Sequence, residues 1–155
     1  MSLLSTVDVV KTIAECVSTY KREFGPYEGR LSSFRSRARD LPTLVFTRGL
    51  AYSIVYIASR SSEATFRLGL EASDCSDLSK KVQEHVKNMA DEESGYVLYG
   101  ALLAFAMKTC GVTIKTAEDP LKELVEVSLK DPLVNARALE VAEWIKRFAE
   151  AYVTK

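Results

Sequence analysis

From Ser94 to Cys110, apolar or small side chains fall on every side of a helix. Tyr96, Tyr99, Leu103 and Ala106 make one seam, and Val97, Leu98, Leu102 and Phe105 cover the other side. A helix with no polar face has to be surrounded by protein. Its uncharged part, Ser94 to Met107, is 14 residues long, too short to cross a bilayer, so other helices must supply the cover. Gly111 provides its stop. A chain of 155 residues is large enough to form one domain (1–155) around such a centre without metal or disulfide staples.

The surrounding helices can be read from period and punctuation. Val7 to Phe24 places Val7, Val10, Ala14 and Val17 on one stripe, with Ile13, Tyr20 and Phe24 beside it. Ser5 with Asp8 three residues on resembles a capping box, and Gly25-Pro26 ends the segment. A short helix from about Arg30 to Asp40 follows, with Leu31, Phe34, Ala38 and Leu41 as its apolar stripe, and Pro42 marks the next break. Leu44 to Ser59 is β-branched and apolar, but its length favours a buried helix. Ser61 to Leu70 reads as a weaker helix. Ser73 to Ser76, with Asp74 inside, is a loop and start signal for a polar, exposed-looking helix from Leu78 to Ala90. Asp91, Glu92 and Glu93 suit a turn or the N-terminus of the central helix. Asp119-Pro120 and Asp131-Pro132 each offer an N-cap carboxylate and a proline at the first helical position. The last helix runs from Pro132 to about Tyr152, with Val134, Ala138, Val141, Ile145, Phe148 and Tyr152 on one face. The expectation is an all-α, compact single-domain bundle of about five to seven helices.

Chemistry is sparse. His85 lies in a polar helix beside Glu84, and no serine or cysteine motif supplies it with a nucleophile. There is no Walker loop, no G-x-G-x-x-G, no G-x-S-x-G and no H-E-x-x-H. Gly95 and Gly100 sit in the apolar helix, where they suit close packing rather than a phosphate cradle. Cys16, Cys75 and Cys110 are scattered and lack histidine partners at zinc spacing, which predicts reduced, buried thiols in a cytoplasmic protein. The N-terminal residues lack the basic start of a signal peptide, and Asp8, Lys11 and Glu15 break their apolar run. Only Gln83, Asn88 and Asn135 carry side-chain amides, a scarcity that hints at a heat-adapted source. No enzyme activity, cofactor, metal or membrane contact is expected.

Charge is more informative. The net charge is zero, yet residues 1–60 hold nine basic against five acidic residues and residues 61–155 hold twelve against sixteen. Between positions 21 and 48 lie Lys21, Arg22, Arg30, Arg35, Arg37, Arg39 and Arg48, opposed by Glu23, Glu28 and Asp40. Arginine's planar fork suits phosphate. On a helical projection Arg35 and Arg39 flank one side of the apolar stripe, and Arg30 and Arg37 the other, with Ser32, Ser33, Ser36 and Asp40 outermost. The same arginines could instead pair with acidic neighbours on a solvated face. On the last helix Trp144 lies about 80° from the apolar seam, with Leu139, Ala142 and Ala149 further round. They are either covered by the bundle or form a partner surface with a tryptophan anchor.

Two segments carry a family resemblance. One is Arg39-Asp40-Leu41-Pro42-Thr43-Leu44-Val45, followed by Arg48-Gly49-Leu50-Ala51 and the apolar run Ile54 to Ala58. The other is Ala138 to Ala151, with Trp144-Ile145-Lys146-Arg147-Phe148-Ala149 within it. In order and spacing they resemble the small subunit of the Cmr complex, the type III-B CRISPR effector. The resemblance implies a non-catalytic helical subunit that stacks in several copies along a backbone-subunit filament. There it would meet the large subunit and line the channel where guide RNA pairs with target RNA. Cleavage and signalling would belong to the other subunits. Arg39, Arg48, Lys146 and Arg147 fall inside the matching segments and are carried over as candidate RNA or subunit contacts. Arg30, Arg35 and Arg37 rest on charge clustering, and Trp144 on its position. The polar stretch from Leu70 to Glu93 lies outside both segments. The competing reading is a helical protein–protein adaptor that does not bind nucleic acid.

Overall fold

The computed structural model describes residues 6–114 and 118–154. They form eight α-helices, with no strand among the described residues: α1 (Thr6–Glu23), α2 (Glu28–Arg48), α3 (Leu50–Arg60), α4 (Ala64–Glu71), α5 (Cys75–Val86), α6 (Asp91–Thr109), α7 (Pro120–Lys130) and α8 (Pro132–Tyr152). As its composition requires, α6 is the axis: every residue from Ser94 to Met107 is buried. Helices α2 and α4 pack most extensively against it, while α8 closes over α1 and α2, and α7 covers α3.

Local signals set most of the helix starts. Asp119 accepts the Lys122 amide at 3.1 Å, and Asp131 accepts the Leu133 amide at 2.9 Å, each ahead of a proline at the first turn. Asp74 caps α5 by accepting the Asp77 amide at 2.7 Å, and Asp77 in turn accepts the Ser73 amide, one residue ahead of the cap, at 2.9 Å. The Ser73 amide bond, with Lys81 and Lys80 nearby, holds the Asp77 carboxyl below the usual aspartate range. Lys108, near the end of α6, donates to the carbonyls of Leu70 and Ala72 and so closes the C-terminal end of α4. The expected cap at Ser5 lies outside the described residues.

Several expectations change. The helix count is eight, above the expected five to seven. Pro42 does not break the chain: α2 runs through it to Arg48. A proline there removes the amide that would bond the Ala38 carbonyl, but the buried stripe Leu31, Phe34, Ala38, Leu41 and Val45 continues past it at helical spacing, and Pro42 itself is buried. The break falls at Gly49, whose φ of 88° suits glycine alone. Asn135 fixes that corner, accepting the Leu50 amide at 3.1 Å and donating to the Ser128 and Asp131 carbonyls.

The third change is on α1. Its buried stripe is Val9, Ile13, Cys16, Val17, Tyr20 and Phe24, while Val7 is 60% exposed and Val10 and Ala14 are half-buried. The helix is rolled toward α5 and α8, its main partners apart from the axis. The fourth follows from that packing. Cys16 and Cys75 are joined in a disulfide with Cα atoms 4.8 Å apart, and only Cys110 is a free, buried thiol. A separation of 59 residues carries no information about distance until α1 lies on α5. The polar helix expected at Leu78 begins at Cys75 and buries Leu78, Val82 and Val86 on its inner face.

The small residues of the axis work as packing sites. A methyl group on Gly95 would overlap Ser33 of α2, coming within 2.7 Å of its backbone carbon. One on Gly69 of α4 would overlap the Ala101 carbonyl of α6, with the carbonyl carbon at 2.9 Å. Backbone cannot swing aside as a side chain can. Gly69→Ala therefore loses about 2 kcal/mol of stability, an overpacking cost of up to ~3 kcal/mol less about 1 kcal/mol of helix propensity. A fall in the urea midpoint at unchanged slope is the expected reading.

Candidate nucleic-acid interface

Positions 30, 37 and 48 are separated by seven and eleven residues, which at 100° per residue returns each to within about 20° of the last. Arg30, Arg37 and Arg48 therefore share one edge of α2, over about 27 Å of helix at 1.5 Å per residue. Each guanidinium lies over a tyrosine ring: Arg30 over Tyr27 at 4.8 Å, Arg37 over Tyr96 at 4.7 Å, and Arg48 over Tyr52 at 4.6 Å. The rings come from the turn before α2, from α6 and from α3. Stacking of this kind contributes about 0.5–1 kcal/mol at an exposed site and limits the side chain's freedom. The row is thus positive charge in preset orientations.

The middle of the row is the most built. Arg60, at the end of α3, comes to the same Tyr96 ring at 5.7 Å, and Tyr56 meets Tyr96 edge-on at 6.1 Å. The Tyr96 hydroxyl raises the pKa of Arg60 and of Tyr56, so Arg60 stays charged and Tyr56 stays protonated in ordinary buffers. Glu92, in the first turn of α6, bridges the two cations: one carboxylate oxygen lies 3.1 Å from Arg60 and 4.0 Å from Arg37. Its side chain is 66% exposed, so the carboxylate sits over the pair from the solvent side. Its own backbone carbonyl accepts the Ser33 hydroxyl at 3.1 Å, tying α6 to α2 at this level. A cleft of about 390 Å³ opens beside the cluster, lined by Ser59, Arg60, Ser61, Glu92, Glu93 and Tyr96.

The other candidates stand apart from the row. Arg35 and Arg39 occupy the opposite flank of the α2 stripe. The Arg35 Nε is buried without a hydrogen-bond partner, and Arg39 pairs with its neighbour Asp40 at 3.2 Å. Lys146 and Arg147 are on α8, where Arg147 pairs with Glu150 at 3.2 Å. Among the described residues no hydrogen bond or ion pair links either of them to the α2 row. On α8 the bundle covers Ala142 and Ala149, whereas Trp144 is 38% exposed and stacks on Phe148 at 5.9 Å, which stacks in turn on Tyr152. His85 is half-buried, its Nε2 3.3 Å from the Ser62 hydroxyl.

Sequence reasoning missed Arg60, Glu92 and all four tyrosines. A count of basic residues cannot find them, because the rings that orient the arginines come from three separate stretches of chain. The repeat of arginine at positions 30, 37 and 48 was the one available signal.

The family model for the CRISPR-associated proteins Cas_Cmr5 matches residues 7–152. No curated protein and no solved structure matches the chain. No described helix is long and apolar enough to cross a membrane.

Proposed function

The chain belongs to the Cas_Cmr5 family, that of the small subunit of type III-B CRISPR effectors, and we propose that it acts there as a non-catalytic, RNA-supporting subunit in the cytoplasm. In this reading copies of the chain stack along the backbone-subunit filament, next to the large subunit, and present the α2 edge to the guide and target RNA. The observation that carries it is the row Arg30, Arg37 and Arg48, each stacked on a tyrosine, joined by Arg60 at its middle. Recognition of a paired guide and target depends on backbone charge rather than base-reading groups, and preset guanidinium groups supply that. Trp144 and the basic pair Lys146 and Arg147 on α8 are left for neighbouring subunits.

Affinity purification of the tagged protein from its host at low salt tests the assignment. Recovery of a set of effector subunits together with guide-sized RNA is the expected result. Recovery of one protein partner without RNA, stable at high salt and lost in Trp144→Ala, would favour the adaptor reading instead.

A further inference from the structure

A second cleft, of about 310 Å³, opens between the turn that joins α1 to α2 and the outer face of α5. Tyr27 and Arg30 line one wall, and Lys80, Gln83, Glu84 and Lys87 the other. Three cations thus face one carboxylate. Among the described residues neither lysine has a carboxylate within 4 Å. Lys80 acts at longer range on Asp77, one turn back on α5. Two further acidic groups lie close by: Glu23, which accepts the Gln83 amide at 3.5 Å, and Asp91, whose carboxylate packs against Gly29 beside Arg30. Arg30 is fixed twice, by stacking on Tyr27 and by a bond from one Nη to the Lys87 carbonyl at 3.3 Å. A guanidinium carries five N–H donors, so most of them stay available. Tyr27 beside it is 52% exposed, with one ring face under the Arg30 guanidinium. The volume lies at the small end of the range for small-ligand sites.

Cations that no ion pair holds, around a half-exposed aromatic ring, match one ligand chemistry: phosphate on the charges, base on the ring. We propose that this cleft binds a nucleoside phosphate. Lys80, Lys87 and the free N–H groups of Arg30 hold the phosphate, and Tyr27 takes the base. Two sources share that chemistry, a free nucleotide and an unpaired nucleotide of an RNA strand. A duplex does not, because its bases are stacked inside. In the strand case the proposal rests on the RNA reading above and extends it, since Arg30 belongs to both sites. Lys80 and Lys87 belong to this cleft alone.

Calorimetric titration of the full chain with adenosine diphosphate, with inorganic pyrophosphate and with a short oligouridylate decides the matter. The proteins compared are the wild type, Lys80→Ala with Lys87→Ala, Tyr27→Leu, and Arg37→Ala with Arg48→Ala and Arg60→Ala. Matching thermal unfolding confirms that the variants are folded. Adenosine diphosphate should bind the wild type about tenfold more tightly than pyrophosphate, the margin one stacked base supplies. The lysine pair should weaken it about tenfold or more, and Tyr27→Leu should bring it to the pyrophosphate level. Competition by oligouridylate assigns the site to a strand nucleotide, and adenosine diphosphate binding without competition assigns it to a free one. Binding that neither the lysine pair nor Tyr27→Leu alters, or no adenosine diphosphate binding at all, overturns the proposal. If oligouridylate binding then responds only to the α2–α3 triple variant, the arginine row stands and this cleft does not. If adenosine diphosphate binds but oligouridylate does not, the cleft stands as a site for a free nucleotide and the row is not a single-strand site.

Discussion

Alanine at Arg37, Arg48 and Arg60 together should weaken binding to a single-stranded RNA on the order of 100-fold at low salt. Three charge contacts at up to about 1 kcal/mol each sum to roughly two decades of affinity. The salt dependence is the sharper reading. Each lost phosphate contact removes about 0.7 from the slope of log affinity against log salt for a single strand, so the triple variant should be shallower by about 2. Arg35→Ala with Arg39→Ala, on the other flank of α2, should change the slope by much less. Glu92 provides the opposite sign. Its carboxylate lies 3.1 Å from Arg60 and 4.0 Å from Arg37, where it competes with phosphate for both. Glu92→Gln keeps the shape and removes the charge, and about 1 kcal/mol of relief is about a fivefold gain in affinity. An unchanged slope in the triple variant, measured with folded protein, would remove the α2 edge from the RNA interface. Equal losses in both arginine sets would mean a diffuse basic surface instead of an ordered row.

The part of this architecture legible in the sequence is the part fixed by neighbours in the chain. Asp119-Pro120 and Asp131-Pro132 start helices because an N-cap carboxylate and its amide partner lie two or three residues apart. The α6 axis is legible because a helix apolar on all sides has one possible environment, and the α8 seam because its period runs unbroken. What failed depended on tertiary partners. Pro42 is a strong local break signal, but a stripe of buried side chains on both sides of it outweighs one missing hydrogen bond, and the turn moves to Gly49. The roll of α1 was set by α5 and α8, which no periodicity within α1 can specify when valines flank the stripe on both sides. The arginines were visible as charge, and the helical projection set Arg30 and Arg37 apart from Arg35 and Arg39, but that Tyr96 of α6 and Tyr52 of α3 would lie under Arg37 and Arg48 depended on tertiary packing.

The disulfide between Cys16 and Cys75 belongs to the same class of feature, and its removal should have the largest effect on stability. It ties the middle of α1 to the first residue of α5 and so closes a loop that contains α2, α3 and α4. For a sequence separation of 59 residues the chain-entropy relation gives about 4 kcal/mol of stabilisation, through restriction of the unfolded chain. At 2–4 °C per kcal/mol for a chain of this size, Cys16→Ala with Cys75→Ala should lower the Tm by roughly 10 °C. Thiol titration of the denatured protein should find one free thiol before reduction and three after, the single one being Cys110. Three thiols without reductant, or an unchanged Tm in the double variant, would count against the bond. The fold protects it. Cys16 and Cys75 are both buried, so reductant reaches them only when α1 and α5 part. Burial raises the pKa of the Cys110 thiol, which keeps it protonated and a poor partner for exchange. Reduction of the native protein should therefore be slow and limited by opening, and rapid once denaturant separates the two helices.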